Sequence, residues 1–94
     1  MVRIQRIRQK IIERAYYLSS HAEDEMLDDG LERDDVEHSI RKGSIQKKLS
    51  EDSRGIRYRI EGPTKDGRLI HVICRFKADG NLIIITVYAV SEDV

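Results

Sequence analysis

The residues of this chain best suited to chemistry lie in its second half, at spacings of two and four. Arg57 and Arg59 are two apart, His71 and Arg75 four apart, Thr86 and Tyr88 two apart. In an extended chain such pairs point to one face. Arginine clamps phosphate with a planar fork of donors. An imidazole titrating near neutrality is a general acid or base, and a phenol offers a hydroxyl donor or a stacking surface. Gathered on one face, these groups are what metal-independent RNA cleavage needs: a base for a 2′-hydroxyl, a holder for the phosphate, and a proton for the leaving oxygen. We therefore take His71 and Tyr88 as candidate catalytic residues, with His21 as the complementary acid or base. Arg57, Arg59, Arg75 and Thr86 are candidate phosphate ligands. An ordinary structural explanation stands beside this one, because the open face of an antiparallel sheet is normally polar.

Other chemistries find little support. His21, His38 and His71 show no metal-ligand spacing and there is one cysteine, so no metal site and no cofactor is expected. His38, on a charged helix, reads as solvated. Cys74 alternates with Ile70, Val72 and Phe76 and reads as a packing residue. Gly62 and Gly67 read as turn glycines, and no phosphate-cradling loop motif occurs.

The elements that must carry these residues follow from periodicity. Leu82 to Val90 is the longest apolar run and is rich in β-branched residues, with Asp79-Gly80-Asn81 as a turn before it. It predicts an inner strand on which Thr86 and Tyr88 share a face with Leu82 and Ile84, and Ile83, Ile85, Val87 and Ala89 line the other. Ile56 to Glu61 alternates apolar and charged, placing Ile56, Tyr58 and Ile60 inward and Arg57, Arg59 and Glu61 outward. Leu69 to Phe76 is a further strand, with His71 and Arg75 on its open side. Ile45 and Leu49 belong to a short edge strand, and Asp52 to Gly55 forms a turn. Ahead of the strands, Ile4, Ile7 and Ile11 recur at helical spacing among bases, predicting a basic amphipathic helix from Val2 to Arg14 that packs on the sheet. Ala15 to Leu18 is too short to classify. A second helix starts at Ser20, whose spacing to Glu23 is that of a capping box. It puts His21 at the first helical position and ends at Gly30 in a left-handed conformation. A third runs from Arg33 to Lys42, with Val36 and Ile40 inward, and stops at Gly43. The fold class is α+β: two to three N-terminal helices, then three to four antiparallel strands.

The totals agree with one small domain. The chain has 94 residues, with a basic helix (1–14), a helical part (15–43), a sheet (44–90) and a tail (91–94). With 39% hydrophobic and 36% charged residues it reads as a soluble globule. It has no Trp, which argues against a wide stacking platform for bases. The lone cysteine, the absence of a signal-like stretch and the absence of a long apolar run predict a cytoplasmic protein without a membrane span. Net charge is zero, but the charges are sorted: nine acids against Arg33 over residues 15–38, then eleven bases against four acids over 39–77. A polyanion can therefore meet a positive face.

Ser20-His21-Ala22 followed by Met26 and Gly30, the charged helix with Val36 ending at Gly43, Arg68-Leu69-Ile70-His71-Val72, and Ile85-Thr86-Val87-Tyr88 together resemble a prokaryotic domain family of unknown function. Its pattern is His-Ala-x-x-x-Met-x-x-Arg-Gly-Ile/Leu, and the likeness covers roughly residues 16–90. The resemblance implies a layout similar to the RelE-like, barnase-like and MqsR-like mRNA-cleaving toxins and to BrnT. It also implies a small YgiT-type zinc-finger antitoxin as partner, and mRNA or the ribosome as target. His21, His71, Thr86 and Tyr88 fall on the family's recurrent polar positions. Asp29 stands where the family pattern has Arg, and the acids from Glu23 to Asp35 would repel a phosphate chain. The expected function is thus a toxin-like, metal-independent mRNA endoribonuclease of a type II toxin–antitoxin pair. The alternative is a non-catalytic module that binds a protein partner or forms a homodimer.

Overall fold

A computed structural model describes residues 3–49 and 55–90. In chain order the elements are α1 (Ile4–Ile12), β1 (Tyr16–Leu18), α2 (Ser20–Asp28), α3 (Arg33–Lys42), β2 (Ser44–Lys48), β3 (Arg57–Pro63), β4 (Leu69–Phe76) and β5 (Leu82–Ala89). The fold is α+β, and the strands form one open, mostly antiparallel sheet in the order β1-β5-β4-β3-β2. The expected turn over 52–54 and the tail over 91–94 lie outside the described residues, as does Val2.

β1 is the strand that periodicity could not find. Three residues show no period, and β1 exists through its parallel pairing with β5, Tyr16 opposite Leu82 and Leu18 opposite Ile84. The sheet therefore has five strands, one more than the most anticipated. α2 starts one residue before the expected place. Its N-cap is Ser19, whose hydroxyl accepts from the Ala22 amide at 3.0 Å, so the Ser20–Glu23 capping box does not form and His21 is the second helical residue. Gly30 takes the left-handed conformation at φ 65°, as expected.

One face of the sheet holds the core. Tyr58 and Ile60 of β3, Ile70, Val72 and Cys74 of β4, and Leu82, Ile84 and Val87 of β5 pack with Ile7 and Ile11 of α1, Ala22 and Met26 of α2, and Val36 and Ile40 of α3. Each fully buried aliphatic side chain contributes about 1.5–3 kcal/mol. Ile12, in contrast, is exposed. Arg8 of the basic helix serves structure: its Nε and Nη2 donate to the carbonyls of Ile40 (3.0 Å) and Gly43 (2.8 Å), capping the negative end of α3.

Gly62 is not a turn residue. It lies inside β3, directly under α3, where a Cβ would overlap the Ser39 carbonyl and hydroxyl. Gly43, beside it, ends α3 where a Cβ would overlap the Glu61 carbonyl. The two glycines let helix and strand approach at backbone contact. Gly67 is a turn glycine, at φ 88°. His38 is not solvated: its Nδ1 donates to the Pro63 carbonyl at 3.0 Å, tying α3 to the end of β3.

Candidate functional site

The face of the sheet opposite the core is set out in cross-strand rows by the pairing register. Glu61, His71 and Tyr88 stand in one row, Arg59, Ile73 and Thr86 in the next, and Arg57, Arg75 and Ile83 in the third. Thr86 and Tyr88 reach this face by a route that simple alternation misses. Ile73 pairs with Thr86 but Cys74 pairs with Ile84, leaving Ile85 as an extra residue in β5. A bulge of one residue reverses the parity of everything beyond it. Leu82 and Ile84 therefore face the core, as do Val87 and Ala89. The expectation that Thr86 and Tyr88 share a face with Leu82 and Ile84 is corrected on this point.

The first row is bonded end to end. His71 is buried, 8% exposed. Its Nε2 lies 2.8 Å from the Glu61 carboxylate and its Nδ1 lies 3.0 Å from the Tyr88 hydroxyl. The two rings meet edge to face, with centroids 5.2 Å apart. A carboxylate only accepts, so Nε2 carries a proton. With a neutral ring, Tyr88 then donates its hydroxyl proton to Nδ1; with a charged ring, Nδ1 donates to the Tyr88 oxygen. Proton movement between His71 and Tyr88 thus needs no heavy-atom movement. The row extends sideways: Gln46 Nε2 donates to Glu61 at 3.2 Å, and Arg59 Nε donates to Gln46 Oε1 at 2.6 Å. Gln46 sits at an irregularity of register between β2 and β3.

The structure bonds His71 to Tyr88, while His21 makes its contact with Glu25. His21 is on α2, its side chain 66% exposed, with Nε2 3.3 Å from Glu25. The same Glu25 oxygen accepts from the Val87 amide, next to Tyr88, at 3.1 Å, so His21 lies beside the β5 end of the row without being bonded into it. The acids of α2 finish the outer edge of β5 beyond β1: Glu25 accepts from the Val87 amide and Asp29 from the Ala89 amide, both at 3.1 Å. Asp29, where the family pattern has Arg, therefore serves the sheet edge. Its carbonyl and that of Gly30 accept from Arg68 at 2.8 and 3.1 Å, so a guanidinium caps α2 from across the fold. Hydrogen bonds from the Thr64 hydroxyl and Arg68 hold the Asp66 carboxyl below its usual range.

The arginines fall at different depths along the face. Rows are two residues, about 7 Å, apart along a strand. Arg59 is one row from His71, while Arg57 and Arg75 face each other two rows away, about 14 Å at the backbone. Arg59 is the nearest of the three to the row along the strands, and its Nε is engaged toward β2 by Gln46; the other two suit a neighbouring phosphate. Glu61 and Gln46 are the members that reading the sequence did not include. The alternation of residues 56–61 did put Glu61 on the open side, but nothing local showed that it stands opposite His71. Among the described residues, no group of three His, Cys, Asp or Glu side chains is placed to hold a metal ion, and no helix is long and apolar enough to cross a membrane.

Residues 18–89 match the family described as Domain of unknown function (DUF4258). The chain belongs to that family. The match begins at the last residue of β1 and ends with β5, so α1 lies outside it and every member of the bonded row lies within. The edge-capping residues Glu25 and Asp29 are also inside the DUF4258 span. No curated protein and no solved structure matches the chain.

Proposed function

We propose that the open sheet face of this DUF4258 domain binds single-stranded RNA and cleaves it without a metal ion, as a toxin-like endoribonuclease acting on cytoplasmic mRNA and restrained by a small zinc-finger-type protein partner. The observation that carries this reading is the Glu61–His71–Tyr88 row, with Arg59 one row away. The resemblance to RelE-like and MqsR-like toxins and to BrnT points the same way. In the reaction, Tyr88 receives the proton of the 2′-hydroxyl while its own passes to Nδ1 of His71. The 2′-oxygen forms a bond to phosphorus and the bond to the 5′-oxygen breaks, leaving a 2′,3′-cyclic phosphate. The 5′-oxygen departs with a proton, taken from His21 beside the β5 end of the row or from solvent. Arg59 neutralises the developing charge on the phosphate, and Arg57 and Arg75 hold the next phosphate. Tyr88 is then the group that touches substrate. His71 acts through it, and Glu61 orients His71 by accepting from its Nε2.

The test is cleavage of an RNA oligonucleotide with mapping of cyclic-phosphate ends, with and without chelator. Tyr88→Phe and His71→Gln are each expected to lower the rate by about 100-fold or more. Parent-like cleavage by His71→Gln, or no cleavage by the parent, refutes the reading. One observation favours a second reading: both nitrogens of His71 are already satisfied within the protein. On that reading the row is a rigid polar patch of a non-catalytic module that docks a protein or a second copy. Salt separates the two. Contacts with several phosphates make RNA affinity fall steeply with salt, and a flat response favours the module.

A further inference from the structure

We propose that the groove between α2 and the start of α3 docks a basic amphipathic helix of a partner protein. This groove is remote in character from the bonded row and independent of the cleavage reading. It has a volume of about 400 Å³ and is lined by the apolar side chains of Leu18, Met26, Leu27 and Leu31 together with Glu23, Glu32 and Arg33. Leu27 is 80% exposed, the most exposed large apolar residue described. It lies on a helix whose other apolar residues, Ala22 and Met26, are buried. Among the described residues the cation lining the groove is Arg33, which is engaged by Tyr16: its Nη1 donates to the Tyr16 hydroxyl at 3.0 Å and its guanidinium lies 5.2 Å from the centroid of that ring.

Charge names the occupant. Beyond the lining, Asp24 and Asp28 lie on α2 and Asp34 and Asp35 in the first turn of α3, where Asp35 accepts from the Glu32 amide at 2.9 Å. Among the described residues the only ion pair made by these four is Asp34 with Lys65, at 3.6 Å. An apolar lining that carries Glu23 and Glu32, on two helices with four further aspartates, disfavours nucleic acid and acidic peptides. It fits a helix that sets one bulky aliphatic or aromatic side chain against Leu27 and Leu31 and carries Lys or Arg on its flanks.

The experiment uses the full chain and two fluorescent synthetic peptides of about 15 residues. Both carry Leu at helical spacing; one has Lys at the remaining positions and the other Glu. Anisotropy titration is expected to show binding of the Lys peptide only. Leu27→Ser, at an exposed position, is expected to weaken it about tenfold or more. The double variant Asp24→Asn/Asp28→Asn is expected to weaken it and flatten its salt dependence. Equal binding of the Glu peptide, or unchanged affinity in Leu27→Ser with native circular dichroism, overturns the proposal. Absence of peptide binding also overturns it. If light scattering then shows a dimer that Leu27→Ser dissociates, the occupant is a second copy. RNA cleavage by Leu27→Ser remains at the parent level whichever result is obtained, which separates this proposal from the cleavage reading.

Discussion

Replacing Glu61 tests the bonded row at its root. The carboxylate accepts from His71 Nε2 at 2.8 Å and from Gln46 Nε2 at 3.2 Å. Gln46 is exposed and can turn to water, so its loss costs little. His71 is 8% exposed, and a leucine at position 61 leaves its Nε2–H buried without an acceptor. An unsatisfied buried donor costs about 1–3 kcal/mol, so Glu61→Leu is expected to destabilise the domain by about 2 kcal/mol. Glu61→Gln keeps a carbonyl oxygen for the same donor and loses only the charge-assisted part of the bond. Bonds to charged groups are worth about 1.5–3 kcal/mol against about 0.5–1.5 for neutral pairs, which predicts a loss of about 1 kcal/mol. Urea denaturation of both variants measures the difference. Long-range nitrogen–proton correlation spectra of the imidazole add a second readout: the neutral ring must carry its proton on Nε2 in the parent, because Glu61 only accepts. Parent-like stability of Glu61→Leu, or a neutral ring protonated on Nδ1, refutes the geometry on which the proposed chemistry stands.

Gly62→Ala is expected to destabilise by about 3 kcal/mol or more in the same assay, because its Cβ would meet the Ser39 carbonyl and α3 cannot retreat without opening the core. Burial, with the hydrogen bond to Glu37 next, raises the Tyr16 phenol to about 12 from its usual value near 10. The folded state therefore holds this proton more tightly than the unfolded chain. Its contribution is full below pH 10 and is lost as pH rises toward 12; Tyr16→Phe is expected to flatten that part of the pH–stability curve, measured by urea denaturation. Burial likewise pushes the Cys74 thiol up to about 12. It is expected to resist a thiol reagent at pH 8 in the native protein and to react at once in denaturant.

What the sequence alone determined is whatever depends on neighbours along the chain. The helical spacing of Ile7 and Ile11, the alternation of Ile56 to Glu61, the left-handed stop at Gly30 and the acids and bases at the two ends of α3 are local preferences, and the fold keeps them. These were enough for the α+β class and for the open side of β3 and β4. The tertiary structure decided what depends on which strand lies beside which. β1 has no signal of its own and is a strand only because β5 offers it an edge. The extra residue at Ile85 turns Thr86 and Tyr88 outward, and an insertion relative to a partner strand is invisible until the pairing is known. Glu61 meets His71 through a register between strands joined by a loop, while His21, equally prominent as a residue, is set by α2 against Glu25 at the outer edge of β5. Asp29 and Glu25 look like repulsive charges in the sequence and prove to be acceptors for amides that no neighbouring strand reaches. A buried amide must find an acceptor wherever the fold leaves it, and that demand is set in three dimensions rather than along the chain.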